Sequence, residues 1–194
     1  MKKSSLLLAV GSALALLTLR PSGQAAIVTL NGDDTNSPTF NRPTQTGALS
    51  FQNPHYDAYF FTVDLSGSYN LTLVAGNPAF FDTYIHLYQG SFNPADPETN
   101  FLRANDDGPG GTDAGSALSG IALTAGTAYY LVADGFSVLD YGAYTATIQG
   151  PGNIAATLVP EPSSVVCTAL LATGGGWLLR RRRAGAARTN DAGC

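Results

Sequence analysis

Ser68-Tyr69-Asn70-Leu71-Thr72-Leu73-Val74-Ala75 alternates large apolar side chains with polar ones along most of its length. Side chains two apart share one face of a strand, so Tyr69, Leu71, Leu73 and Ala75 line one face while Asn70 and Thr72 take the other. The stretch therefore predicts a strand with one buried face. Period-two stretches recur at 48–51, 56–63, 83–89, 116–123, 128–134 and 143–149, separated by clusters of Gly, Pro, Asn and Asp. None carries a helical period over more than a few turns, and seven strands at this spacing predict an all-β domain folded as an antiparallel β-sandwich. Within 83–89 the alternation puts Ile85 and Leu87 inward and leaves Tyr84, His86 and Tyr88 on the opposite face, where packing or general surface, rather than a binding platform, is the expected use of Tyr84 and Tyr88. The stretch 26–54 is less regular. A strand at 27–30 leads into the turn Asn31-Gly32-Asp33-Asp34 and a long loop interrupted by Pro38, Pro43 and Pro54.

Both ends of the 194-residue chain read as targeting segments. Lys2 and Lys3 precede an apolar run over 6–19, the pattern of a secretory signal peptide, and the small residues of Ser22-Gly23-Gln24-Ala25 predict cleavage between Ala25 and Ala26. At the other end Val159-Pro160-Glu161-Pro162 precedes an apolar run at 165–179 and four arginines at 180–183. The prolines keep the motif extended and open to a processing enzyme, and the arginines hold the far side of the run in the cytoplasm. Fifteen residues make a helix of only about 22 Å against a hydrocarbon core of about 30 Å, and Gly174-Gly175-Gly176 weakens it further. Such a run suits a transient membrane stop better than a permanent transmembrane helix.

This order of VPEPSS, hydrophobic run and RRRR resembles the PEP-CTERM sorting signal of Gram-negative bacteria. The resemblance implies recognition by an exosortase, a membrane cysteine protease-transpeptidase, with cleavage near Pro160-Glu161-Pro162. It also implies delivery to the cell surface or to an extracellular, biofilm-type matrix. The departure from the pattern is an eleven-residue tail, 184–194, after the arginines. The expected organisation is a signal peptide at 1–25, an N-terminal strand and loop region at 26–54, a sandwich at 55–152, and a linker with the sorting signal at 153–194. Signal peptidase and exosortase are the expected processing partners, with transient contact at the inner membrane.

Over roughly 56–152, FDTYIHLYQGSF at 81–92, RANDDG at 103–108, LTAGTAYYLVADG at 123–135 and YTATIQGPG at 144–152 look like bacterial pre-peptidase C-terminal (PPC-like) domains. That resemblance implies a jelly-roll-like, non-catalytic module, in some members calcium-binding and in some credited with attachment to polymers or surfaces.

Between 26 and 160 the chain carries twelve acids against Arg42 and Arg103, with no lysine, a net charge of −10. A field of that sign repels phosphate backbones, so no nucleic-acid partner is expected, whereas divalent cations fit it. Calcium takes six to eight oxygen ligands from flexible loops. Asn105, Asp106, Asp107 and Asp113 lie in one glycine-rich loop, and Asp82 opens a neighbouring strand by the family pattern. Two readings stay open there, a calcium site and an ordinary solvated acidic turn.

Hydrolytic chemistry finds little support. Nucleophilic hydrolysis wants a base beside its nucleophile, yet the two histidines, His55 and His86, sit among prolines and tyrosines, and there is no Gly-x-Ser-x-Gly elbow. Zinc would want three or four His or Cys ligands. Cys167 falls in the hydrophobic run and Cys194 ends the chain, so neither reaches the domain. The expected function is an exported surface or matrix protein with a non-catalytic binding or structural module, meeting extracellular polysaccharide or other surface proteins. A hydrolase of extracellular polymer, or a partner-binding accessory module of a secreted enzyme, is the alternative.

Overall fold

The structure is a computed structural model and describes residues 25–108 and 115–160. These form nine strands: β1 (Ala26–Asp33), β2 (Tyr56–Val63), β3 (Gly67–Ala75), β4 (Thr83–Gln89), β5 (Phe101–Asn105), β6 (Gly115–Leu123), β7 (Tyr129–Gly135), β8 (Ala143–Gly150) and β9 (Ile154–Leu158). They build two antiparallel sheets, ordered β1-β8-β3-β6 and β5-β4-β7-β2-β9. The protein is thus the all-β sandwich that its alternation predicts. The first eight strands follow the order of a jelly roll, and β9 adds a fifth strand beside β2.

Several expected boundaries move. The first strand runs over all of Ala26–Asp33, paired along β8, because an edge strand needs only one neighbour and only one shielded face. The stretch 48–51 is no strand. Leu49 makes one isolated bridge to Pro43, and the segment belongs to a 34–55 strap laid over the five-stranded sheet. β5 and β9 are strands that alternation does not reveal, and β9 corrects the boundary at 153, since residues 154–158 pair with β2 and belong to the sandwich. The expected signal peptide up to residue 24, Glu161, Pro162, the apolar run and the arginine block lie outside the described residues. Among the described residues no helix is long and apolar enough to cross a membrane.

The space between the sheets is filled from alternate positions: Tyr69, Leu71 and Leu73 of β3 meet Ile85 and Leu87 of β4 and Leu131 of β7, all fully buried. Burying one such side chain stabilises the fold by roughly 1.5–3 kcal/mol. A second apolar cluster lies on the outer side of the five-stranded sheet. Phe40 of the strap packs there on Tyr56, Tyr88 and Val132, with its ring centroid 4.9 Å from that of Tyr56. β4 is consequently buried on both faces.

Candidate functional site

β4 and β7 run side by side with His86 opposite Val132 and Tyr84 opposite Asp134. The pleat sends His86, Tyr84 and Asp134 to the outer face, where the strap closes over them. His86 Nδ1 lies 3.0 Å from Asp134 Oδ1, and its Nε2 lies 2.9 Å from the carbonyl oxygen of Pro43. The Pro43 carbonyl can only accept, so Nε2 carries a proton, while Nδ1 either donates to an ionised Asp134 or accepts from a protonated one. Neither side chain reaches solvent. Burial pushes the Asp134 carboxyl up from its ordinary value, opposed by the charge and hydrogen bond of His86 and by the charge of Arg42.

Arg42 is the strap's anchor. Its guanidinium sits 4.0 Å from the centroid of the Tyr84 ring and 5.3 Å from that of Phe136, and Nη2 donates to the Phe136 carbonyl at 2.5 Å. Only 4% of the residue is exposed. The charge is thus held between aromatic faces, an arrangement that gains strength as water is removed. Burial also raises the Tyr84 hydroxyl to about 12, with Arg42 opposing.

A second polar cluster closes the same end of the sandwich. Tyr144 Oη donates to Asp57 Oδ2 at 2.6 Å, and Ser37 Oγ donates to Asp57 Oδ1 at 2.7 Å. With the Tyr144 proton committed, Tyr59 must donate across the 2.9 Å that separates the two phenols. Burial is the first cause pushing the Tyr144 hydroxyl up, and its bond to Asp57 the second. Gly32 leaves room for this network, since a Cβ there would collide with the Tyr144 ring and hydroxyl. Nearby, Asp34 and Gly142 bind reciprocally: Asp34 N–H donates to the Gly142 carbonyl at 3.3 Å, and Gly142 N–H donates to Asp34 Oδ1 at 2.7 Å. Asp34 is fully buried, and its Oδ2 has no hydrogen-bond partner among the described residues. Burial raises this carboxyl to about 7; the Gly142 N–H opposes the rise and the charges of Asp57 and Asp134 add to it.

The residues expected to hold calcium are only partly brought together. Gln45 of the strap directs its amide nitrogen to Asn105 Oδ1, at 3.1 Å, and to Asp106 Oδ1. Asn105 Nδ2 in turn donates to the backbone oxygens of Asp107 and Ala117. Asp82 receives the Phe136 N–H on its backbone carbonyl, and Asp113 lies outside the described residues. Among the described residues no group of three or more His, Cys, Asp or Glu side chains is placed to hold a metal ion.

Just past β9, where processing is expected, Val159 N–H donates to the Ala58 carbonyl at 2.8 Å, continuing the ladder of β9 on β2. Pro160 follows at the lip of an open groove of about 560 Å³ that Asn31, Asp33, Asn36 and Asp57 also line. Ala25 is exposed and Ala26 is the first residue of β1, paired with Gly150. The proposed leader junction therefore falls at the margin of the sheet.

No family model matches this chain, and no curated protein matches it. The functional groups that sequence reasoning passed over are Asp34, Arg42, Asp57 and Asp134. Asp57 and Asp134 do carry a signal, a lone acid inside an otherwise apolar strand, which a solvated turn does not explain. Asp34 and Arg42 carry none, because a loop's burial depends on what it is laid against.

Proposed function

We propose that this chain is an exported cell-surface or extracellular-matrix protein whose β-sandwich is a non-catalytic binding or structural module, released to its destination by an exosortase-type step. The observation that carries the reading is the commitment of its polar chemistry to holding the strap. His86 is buried with both ring nitrogens engaged, and Asp134 and Arg42 are buried beside it. A general base must reach the proton it removes, and no substrate reaches this imidazole without lifting the strap. His55 is likewise engaged, its Nδ1 on the Ser37 carbonyl and its ring edge against Tyr141. The resemblance to PEP-CTERM proteins fits a module whose last sheet hydrogen bond, at Val159, comes just before Glu161-Pro162. Screening the purified protein against extracellular polysaccharides and peptides should show binding or nothing. Turnover abolished by a single Asp→Asn change would sink the reading.

Calcium belongs to the same proposal. Asn105 Oδ1 and Asp106 Oδ1 converge on one point, the amide nitrogen of Gln45, and a cation at that point would replace one donor with a stronger attraction to both oxygens.

A further inference from the structure

The strands alternate in direction, so the ends of β1, β3, β5, β7 and β9 and the starts of β2, β4, β6 and β8 lie at one end of the sandwich. That end carries the connections 76–82 and 136–142, which touch through the bond from Phe136 N–H to the Asp82 carbonyl. Phe80 and Leu139 are each 75% exposed on these connections, and Phe136, Val138 and Tyr141 are exposed beside them. Apolar side chains gathered on adjoining loop tips need a reason, because scattered single exposures are ordinary and clusters are not.

The chain leaves the sandwich at this same end. β9 is two strands from β7 and its register leaves Pro160 level with Asp57 and Ala133, so Pro160 stands about 10 Å across the sheet and about 10 Å along it from the 136–142 connection. From Pro160 to Val165, where the apolar run begins, the chain can reach at most about 17 Å. A run seated in a bilayer would therefore hold these loop tips against the lipid, at the high effective concentration that a short tether creates. The other end of the sandwich, with the start of β1, would face away.

We propose that, before the tail is cut, the apolar tips around Phe80 and Leu139 dock on the outer leaflet of the inner membrane and seat the sandwich upright over its own exit point. This rests on the reading of 165–179 as a membrane-seated sorting run. The docking is to the acyl boundary and not to headgroup charge, since the neighbouring acids Asp82, Asp106, Asp107 and Asp140 repel anionic lipid. It ends with cleavage, because the loop tips alone are few and lose the tether that concentrates them.

The test uses the chain without its leader, 26–194, in phosphatidylcholine vesicles with brominated acyl chains. Trp177, the only tryptophan, lies in the apolar run and reports its insertion. Leu139→Trp in a Trp177→Phe background reports the loop tip, and Ile27→Trp in the same background reports the far end. The expected result is that Trp177 and the residue-139 probe shift to the blue and are quenched, while the residue-27 probe stays bright. Quenching of Trp177 without quenching at 139 would overturn the docking and leave the sorting reading standing. Equal quenching at 27 and 139 would also overturn it, as adhesion without orientation. An unquenched Trp177 would remove the seated run, and the docking with it.

Discussion

The two buried layers of this sandwich are made of different material. Between the sheets, Tyr69, Leu71, Leu73, Ile85, Leu87 and Leu131 present carbon to carbon, with the Tyr69 hydroxyl led out to the Leu65 carbonyl at the rim. On the far side of the five-stranded sheet, the strap buries Arg42, His86 and Asp134 among Phe40, Tyr84 and Tyr88. The first layer gains stability in proportion to area and tolerates many apolar combinations. The second is conditional, because a buried charge stabilises only while its partner is in place. The inner layer therefore makes the fold, and the outer layer decides where one long loop lies.

The largest expected effect breaks the outer layer. Asp134→Ala leaves the buried Nδ1 of His86 without its partner, and the variant should lose about 3–5 kcal/mol. Urea unfolding measures it. A change within about 0.5 kcal/mol, the size usual at surfaces, would show that the pair carries no strain when cut. Leu131→Ala breaks the inner layer and should cost about 2–5 kcal/mol through lost burial and the cavity left behind. The sharper contrast is in how the two layers fail. Arg42→Ala should free the strap to protease while β2 and β7 remain protected, whereas Leu131→Ala should expose strap and strands together; coincident cleavage in both variants would erase the distinction.

A smaller effect comes from Asp34. Burial pushes its folded carboxyl up from the ordinary 3.8 to about 7. The folded protein keeps a proton that the unfolded chain has released, so this group's contribution is full below pH 4 and is lost as the pH rises through about 7. The loss is on the order of 4 kcal/mol. Asp134, also raised by burial, acts in the same direction. Asp34→Asn keeps an oxygen for the Gly142 N–H and removes the charge. Its unfolding midpoint should vary less between pH 5 and pH 8 than that of the parent, and should exceed the parent's at pH 8. An unchanged pH profile would place the sensitivity elsewhere.

The smallest effect concerns calcium. If Asn105 and Asp106 hold the ion, melting temperature should rise with calcium as the folded state gains stability, by about 2.7 kcal/mol at a hundredfold excess over the dissociation constant. Magnesium should do less, since it demands a tighter octahedral shell. Asp106→Asn with Asp107→Asn should abolish the shift; an equal shift in that variant would leave the loop a solvated turn.

The contrast between layers also marks what was legible in the sequence. Alternation finds strands that bury one face against the opposite sheet, and it locates β2, β3, β4, β6, β7 and β8 within a residue or two. It does not find β5 or β9, edge strands with little burial to impose a period, as Phe101-Leu102-Arg103-Ala104-Asn105 shows. It reads 48–51 as a strand because Ala, Leu and Phe stand there, although the strap lies across a sheet and not within one. His86 was legible as a structural or surface histidine rather than a catalytic one from its tyrosine neighbours, but its burial and its partner were not: Asp134 lies on another strand, and no local pattern brings 86 and 134 together.

The most direct test of the whole account is the intact mass of the protein recovered from envelope and medium fractions. The account predicts a chain that begins at Ala26, ends near Pro160-Glu161-Pro162, and is found outside the inner membrane. A full-length chain that retains Cys194 and stays in the inner membrane would contradict it.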